Sequence, residues 1–447
     1  MSTLPEVRGA LPGADEDLGG TAPQRLSPIA ETLPSATRPW PGGLGGLGGL
    51  GGLGGRLSVV GVDAGRALER ARPALAAVRY PLAVYAASRL IYLILGMVDT
   101  FAAPHVSILS EITHWDGLWY VKLAYWGYPS HVITNQWSTL GFFPTYSLVL
   151  RGAAIVTGLP GAFAGLAVSL VSGASATVLV GRLALRWFGD ERSSRRAVLF
   201  FCLFPGSIVF SIDYTEGILI TLIAGVLLAV EHRRWLLAGV LAGLATAVGP
   251  VGVAIIPALG VGALLEVRRR GWRDPEALRA LAAPLLAPAG LVAFGIYLWV
   301  HTGNPFASYI AQHDAWGEHS GPLAIYYQGY HLVRETLRLP GGWKRFNLNL
   351  LSGVLGAAFL AWALSYLWRA RRRLSAVAIT WTLGVAVLTV TSDQVPPNPR
   401  MLLCAFPLLV AIAAELGRRG YRRLIGWSST ALVVMSLLTV VASLLRP

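Results

Sequence analysis

HWDGLWYVKLAYWGYP, residues 114–129, is a polar and aromatic stretch in a very apolar chain. It follows the first apolar run that is long enough to cross a bilayer, near 82–98. A carboxylate at Asp116, between Trp115 and Gly117, is costly beside a membrane, because desolvation favours the neutral acid. A carboxylate in such surroundings suits general-base catalysis. The alternative is that the aromatic residues form an interfacial belt and that Asp116 caps a short helix.

The composition is typical of a polytopic membrane protein. Of 447 residues, 54% are hydrophobic and 13% are charged, and apolar runs of about one bilayer length recur. The net charge of +14 would also suit a nucleic-acid-binding protein, but the basic residues occur in short clusters between apolar runs. The positive-inside rule explains that pattern, so we predict the bilayer as a partner and no nucleic acid. Cys202 and Cys404 fall inside apolar runs and indicate neither a disulfide nor a metal site.

The first 75 residues differ from the rest of the chain. They are rich in Gly, Pro and Ala and repeat Gly-Gly-Leu between Gly42 and Gly55. This composition predicts a disordered tail at 1–75, which the arginines just before the first apolar run place in the cytoplasm. Residues 76–447 are predicted to form a multi-span domain that carries the candidate general base Asp116. No apolar h-region is present in the tail, so we expect no cleavable signal peptide. The Asp-Glu-Asp at 15–17 resembles the D-x-D of nucleotide-sugar glycosyltransferases, but its place in the tail argues against a catalytic role.

Basic residues set the predicted orientation of the spans. Lys and Arg occupy 18 positions in five predicted inner connections and 7 in the longer outer segments. We interpret 145–159 as a helix at the outer interface, since a crossing there would place the basic cluster at 192–196 outside. The predicted fold is therefore an all-α multi-pass protein of the cytoplasmic (plasma) membrane, with a large first outer loop and an extracytoplasmic site. The eleven predicted spans lie near 82–98, 162–187, 197–211, 217–231, 235–248, 250–266, 281–300, 349–368, 375–391, 401–416 and 424–445.

Residues 114–129, with GFFPTYSLVLR at 141–151, resemble the W-D-x-x-x-[FY]…G-Y…F-F-P pattern of the PIG-V-like mannosyltransferases. These are integral membrane enzymes related to GPI mannosyltransferase 2, in the GT-C class of glycosyltransferases. The resemblance covers roughly 82–446 and is specific in the first outer loop. It implies a GT-C-like fold and polyprenyl-phosphate-mannose as donor substrate, with no cofactor and with a divalent metal left open. Gly117-Leu118 stand where the family pattern has a bulkier or charged residue, which leaves the acceptor open.

Nucleotide sugars are absent from the outer face of the membrane. A glycosyltransferase with its site there must therefore use a lipid-linked sugar as glycosyl donor. Transfer then needs a base for the acceptor hydroxyl and cationic or hydrogen-bonding groups for the departing phosphate. We predict that Asp116 is the base. Its action from the face opposite the phosphate would invert the anomeric centre, as the resemblance to the GT-C class implies. The predicted acceptor is a glycolipid or another membrane lipid or glycan.

Arg400 is the predicted phosphate ligand. It ends the stiff sequence PPNPR at 396–400, just before a span, and PRMLLCAFPLL at 399–409 resembles the Arg-containing segment of the family. The alternative is an arginine that snorkels to lipid headgroups. Lys122 and His114 are also predicted to contact the donor phosphate, with water-facing side chains as the alternative. His114 could instead orient Asp116. The aromatic residues predicted to line the substrate site are Trp115, Trp119 and Tyr120.

LFPGSIVFSIDYTEGILI, residues 203–220, resembles the family's P-x-S-…-[FY]-S-x-x-Y-[ST]-E segment. Asp213 and Glu216 would then lie at the outer edge of the membrane, where they bind the acceptor or pair with a buried cation. Arg89, midway along the first predicted span, is such a cation, and its cost in a membrane requires a partner. We expect a structural ion pair between Arg89 and one of these carboxylates.

The long outer loop at 301–348 carries the last predicted contact. Asn-Pro-Phe at 304–306, with Gln312 and Trp316, resembles the family's [DN]-P-…-Q…W stretch, and we predict that Gln312 contacts the sugar or the polyprenyl chain. The histidines of this loop fit no usual zinc spacing, so we predict no metal site. They are His301, His313, His319 and His331.

Two other functions are compatible with a polytopic chain. A transporter or lipid flippase would carry inverted repeats and polar residues at the membrane midplane. The sequence has no evident internal repeat, and its polar stretches fall outside the spans, which disfavours transport. A GT-C enzyme that uses another polyprenyl-linked pentose or hexose is not excluded by any residue.

Overall fold

The computed structural model describes residues 77–94, 112–337 and 347–441. Within these ranges the chain is helical and forms no strand beyond one isolated bridge between Ser320 and Ser392. The predicted tail at 1–75 and the end of the first predicted span lie outside the described residues. The helices are α1 (77–94), α2 (Asp116–Trp126), α3 (Pro144–Thr157), α4 (Gly161–Phe188), α5 (Glu191–Leu203), α6 (Glu216–Glu231), α7 (Trp235–Thr246), α8 (Ile255–Arg270), α9 (Pro275–Leu286), α10 (Ala289–Thr302), α11 (Ala307–Ile310), α12 (Ala324–Leu337), α13 (Leu348–Ala370), α14 (Ala376–Val390), α15 (Pro399–Cys404), α16 (Phe406–Glu415) and α17 (Arg418–Ser436).

Four helical segments of the described chain are long and apolar enough to cross a membrane, and a bent pair of helices makes a fifth. α7, α14 and α16 are shorter apolar helices. The chain is therefore a multi-pass membrane protein, while the number of eleven crossings stays a prediction. α3 confirms the predicted helix at 145–159, and its place at the interface also stays a prediction. The four long segments are Gly161–Phe188, Pro250–Arg270, Pro275–Thr302 and Leu348–Ala370.

The span predicted at 197–211 is not straight. α5 ends at Leu203, and a 3₁₀ helix, Pro205–Ser211, continues at an angle of 72°. Phe204 adopts an extended conformation at the corner, because the following proline disfavours the helical region. The bend turns the chain toward Asp213 and Glu216 instead of carrying it straight through the bundle.

The ion pair predicted for Arg89 is wrong. Its buried guanidinium donates instead to the Cys202 carbonyl oxygen, at 3.2 Å, and to the hydroxyls of Ser207 and Ser211, at 2.9 and 3.1 Å. The Cys202 carbonyl belongs to the last turn of α5, where helix carbonyls lack intrahelical partners. The bend thus supplies oxygen acceptors to Arg89, so no carboxylate is needed there.

A small aromatic core joins the first outer loop to the bundle. Tyr120 of α2 packs against Phe142 and Tyr146, with ring centroids 5.1 and 5.0 Å away. The Tyr146 hydroxyl donates to the Gly165 carbonyl of α4, at 2.9 Å, and the Ser147 hydroxyl donates to the Tyr120 carbonyl, also at 2.9 Å. These contacts fix α2 and α3 on the first long span.

The predicted orientation is tested by impermeant thiol labelling of right-side-out membrane vesicles. Cysteines in place of the exposed residues Ser130 and Ser320 should react without permeabilisation. A cysteine in place of exposed Arg372, in a predicted inner connection, should react only after permeabilisation. The native Cys202 and Cys404 are buried and give little background. The opposite labelling pattern would overturn the orientation.

Candidate active site

The first outer loop docks onto the segment that follows the bend. The Asp213 amide donates to the Ile112 carbonyl at 3.0 Å, and the Asp116 amide donates to the Tyr214 hydroxyl at 3.4 Å. Gly117 lies against Asp213 so closely that a β-carbon there would be 3.2 Å from the Asp213 β-carbon. The start of α2 is therefore held by contacts with Asp213 and Tyr214, about a hundred residues later in the sequence.

Trp115 precedes α2 in a strained conformation, with φ of 55° and ψ of −114°. Positive φ is uncommon for a bulky residue and persists only where the surroundings impose it. Asp116 is the first residue of the helix, and no side chain caps this end of α2. The alternative role of Asp116 as a helix cap is therefore wrong, and its carboxylate points elsewhere.

Asp116, Arg400 and Glu216 form one ion-pair cluster. Arg400 Nη1 lies 2.7 Å from Asp116 Oδ2, and Arg400 Nε lies 3.5 Å from Glu216 Oε1. The side chains of Arg400 and Glu216 are 13% and 5% exposed, whereas that of Asp116 is 31% exposed. The Arg400 guanidinium also lies over the Tyr214 ring, 5.2 Å from its centroid. Asp116 is therefore the solvent-facing end of an otherwise buried cluster.

A rigid loop presents Arg400. The Asn398 carboxamide oxygen accepts from the Met401 amide at 3.0 Å and so caps α15, whose first residue is Pro399. A β-carbon on Gly206 would overlap the Pro399 carbonyl, and one on Gly356 would overlap the Pro397 carbonyl. Only glycine permits this approach of backbone to backbone, which places the loop against the bent element and α13.

An aromatic wall stands beside the cluster. The Trp119 ring stacks on Phe142 at 6.0 Å and meets the edge of Trp316 at 5.2 Å. Trp137 stacks on Trp316 at 5.3 Å. Trp119 thus lies in this wall, one turn after Asp116 on α2, whereas Tyr120 is buried in the core beneath, and the predicted contact of Trp119 with substrate stays a prediction.

Two further residues predicted to contact substrate, Lys122 and His114, lie beside aromatic rings. Lys122 lies over the Trp119 ring, with Nζ 4.4 Å from its centroid, and partial burial lowers the pKa of its ammonium group. It forms no ion pair within the described residues. The His114 ring lies 6.1 Å from the Trp115 ring. Lys122 is thus held on the aromatic wall and outside the Arg400 cluster.

Gln312 faces the main chain of the first outer loop. Its side-chain amide donates to the Gly141 carbonyl. A few residues after Gln312, Glu318 and His319 contact the loop that carries Arg400. The Glu318 carboxylate accepts from the Ser392 hydroxyl at 2.6 Å, and the His319 carbonyl accepts from the Asp393 amide at 3.0 Å. The segment from Gln312 to His319 therefore connects the aromatic wall to the loop that carries Arg400.

Asp213 is a fully buried carboxyl beside the cluster. Neither of its side-chain oxygens has a hydrogen-bond partner within the described residues, and the carboxyl packs against the backbone of Gly165. Burial raises the pKa of Asp213 well above the usual value for an aspartate. A neutral acid is the form that such surroundings favour, so the predicted pairing of Asp213 with a cation is also wrong.

Within the described ranges, no three His, Cys, Asp or Glu side chains are grouped as metal ligands. The rings of His313 and His319 are near each other, with centroids 4.4 Å apart. The acidic side chains that meet at Arg400 are already engaged with its guanidinium. The arrangement can accept a proton at Asp116 and can hold an anion at Arg400.

Comparison with known proteins gives one related sequence. No protein-family model matches the chain. GPI mannosyltransferase 2 of Drosophila pseudoobscura pseudoobscura is 31% identical over 117 residues, which are 24% of this chain and 25% of that protein. The chain thus spans about a quarter of the length of the curated relative that it matches. The predicted resemblance to proteins related to GPI mannosyltransferase 2 is confirmed over this stretch.

Two solved structures were found to be similar to part of this chain. ArnT from Cupriavidus metallidurans, bound to undecaprenyl phosphate, has a TM-score of 0.48 and 18% identity, with 76% of this chain and 62% of that chain covered. The Archaeoglobus fulgidus oligosaccharyltransferase, tethered to an acceptor peptide, has a TM-score of 0.39 and 12% identity, with 80% of this chain and 55% of that chain covered.

Because Glu216 is buried, removing the charge of Arg400 should change the stability of the protein. Arg400→Gln should lower the free energy of unfolding by about 3–5 kcal/mol, because it leaves the Glu216 charge buried without a partner. Arg400→Gln combined with Glu216→Gln should recover most of that loss. Thermal unfolding of the purified protein, followed by tryptophan fluorescence, measures both.

Arg334→Gln, at an exposed position without an ion pair in the described chain, is the control and should leave the midpoint unchanged. Equal midpoints for the single and double variants would contradict the importance of the buried Glu216 charge.

Proposed function

We propose that the protein is a GT-C glycosyltransferase that transfers mannose from polyprenyl-phosphate-mannose to a lipid or glycan acceptor at the outer membrane face. The observation that carries the proposal is the contact between Asp116 and Arg400, which pairs a partly exposed carboxylate with a buried guanidinium beside an aromatic wall. The sequence similarity to GPI mannosyltransferase 2 supports mannose as the transferred sugar. The donor, the acceptor and inversion at the anomeric carbon are parts of this proposal.

The contact between Asp116 and Arg400 defines the first step of the proposed reaction. Arg400 Nη1 lies 2.7 Å from Asp116 Oδ2, so this carboxylate oxygen is engaged with the guanidinium and is not directed at an acceptor hydroxyl. The donor phosphate takes the place of Asp116 on Arg400, since phosphate accepts the same guanidinium donors. Glu216 keeps Arg400 in position from its buried side. Donor binding thereby releases the Asp116 carboxylate at the moment when a base is required.

The chemical step follows from these positions. The acceptor hydroxyl oxygen forms a bond to the anomeric carbon as the bond from that carbon to the donor phosphate oxygen breaks. The acceptor proton moves to Asp116, and the bonding electrons leave with the phosphate, whose charge Arg400 stabilises. Attack from the face opposite the phosphate inverts the configuration.

An apolar cavity of about 750 Å³ supports a lipid-linked donor. It is bounded by α2, α3, α7 and α10 and is lined by residues such as Leu148, Leu244 and Phe294. Leu123, which also lines it, follows Asp116 by two turns on the same face of α2, about 10 Å along the helix axis. A hydrocarbon chain in this cavity would have its phosphate end near the cluster.

The proposed reaction is tested with purified protein in liposomes and radiolabelled polyprenyl-phosphate-mannose, -glucose and -pentose. We expect transfer of mannose, with retention of label in a lipid-extractable or glycan product. Transfer of another sugar would favour the alternative donor. Movement of the donor across the bilayer without transfer would identify a flippase and overturn the proposal.

Asp116→Asn tests the base. The variant keeps the shape of the side chain but removes one of the two carboxylates that compensate Arg400, so the protein should stay folded and unfold somewhat below the wild-type temperature. It frees Arg400 from a competing carboxylate, so the KM for the donor should stay the same or fall. Loss of the base should lower kcat by about 10²–10⁴.

Asp393→Asn is the matched control, because Asp393 is an exposed carboxylate in the loop that carries Arg400. Asp393→Asn should change neither the donor KM nor kcat. A higher donor KM with an unchanged kcat in Asp116→Asn would instead make Asp116 a positioning residue for Arg400.

A further inference from the structure

A second cavity, lined by charged and aromatic side chains, lies at the opposite end of α5 from the bend. It has a volume of about 410 Å³ and is formed where α1, α5 and α17 meet. Arg192, Arg195 and Arg196 of α5 line it, together with Tyr80 of α1 and Tyr421 of α17. These residues belong to the predicted inner face, so the cavity is separate from the proposed transfer site.

Two tyrosines hold two of the arginines in fixed positions. The Tyr80 hydroxyl donates to the Arg195 carbonyl at 3.3 Å, and the Tyr421 hydroxyl donates to the Arg196 carbonyl at 2.8 Å. The Arg195 guanidinium lies 5.4 Å from the Tyr80 ring centroid, and that of Arg196 lies 3.9 Å from the Tyr421 ring centroid. Residues of three helices thus position the guanidinium groups of Arg195 and Arg196.

The charges in the cavity are not balanced. Glu191 is the carboxylate that lines it, and its oxygen lies 3.8 Å from Arg195 Nε. Within the described residues Arg192 and Arg196 form no ion pair; Arg196 Nη2 donates to the Leu416 carbonyl, while Arg196 Nε is buried without a hydrogen-bond partner. Arg192 also lies in the first turn of α5, where the helix dipole disfavours a cation. A bound anion would compensate for both features.

We propose that this cavity binds a phosphate group, as presented by an anionic phospholipid headgroup or by free phosphate. Guanidinium groups match phosphate oxygens in geometry and charge. Tyrosine side chains are typical of the headgroup level of a membrane, which favours the lipid as the source. The positive-inside rule accounts for arginines at this face, but not for their fixed positions around a cavity.

The test uses the full-length protein in detergent and measures bound lipid by native mass spectrometry. Phosphatidic acid should bind saturably, and phosphatidylcholine should bind far more weakly. Arg192→Gln combined with Arg195→Gln changes two exposed side chains and should weaken phosphatidic acid binding at least about tenfold, since each lost charged contact contributes to affinity.

Arg371→Gln combined with Arg372→Gln is the matched control. It removes the same charge from another predicted inner connection, where Arg371 lies over Trp368 of its own helix, and should leave lipid binding unchanged. Competition by millimolar inorganic phosphate that depends on Arg192 and Arg195 would assign free phosphate as the ligand. Equal binding by both double variants, whether lost or retained, would overturn the site.

Discussion

The buried Arg400 guanidinium is the constraint on which the outer face of this protein depends. A charge at such a site must be compensated, and Glu216 and Asp116 compensate it from two different elements. Glu216 is available because the chain bends after α5, and Asp116 is available because Trp115 accepts a strained backbone. One cation therefore joins the first outer loop, the bent element and the loop before α15.

The sequence was sufficient to predict the class of fold and most of the helices. Long apolar runs predicted α4 and α13 within two residues, because hydrophobicity alone determines which residues a membrane accepts. The bend between α5 and the 3₁₀ helix at Pro205–Ser211 was not predicted, since proline is tolerated in many membrane helices without a 72° turn.

The site could be predicted only as separate residues. Asp116 and Arg400 were each identified from local patterns, yet 284 positions separate them, and no local pattern indicates that they touch. Arg89 shows the converse error. Its charge was visible, but the carbonyl and hydroxyl acceptors that satisfy it exist only because of the bend. The roles of Gly206 and Gly356 were missed because a close backbone approach leaves no signal in one sequence.

The ion pair between Asp116 and Arg400 also indicates a role for the strained backbone of Trp115. If α2 began in a relaxed conformation, its first carboxylate would be free to cap its own helix, as an aspartate at a helix start commonly does. The strained turn instead directs Asp116 to Arg400, where Asp116 is the most exposed member of the ion-pair cluster. An anionic ligand can then displace the more exposed carboxylate without disturbing Glu216, because Glu216 is almost fully buried behind the guanidinium. In the proposed mechanism, unequal burial of the two carboxylates decides which one the guanidinium releases.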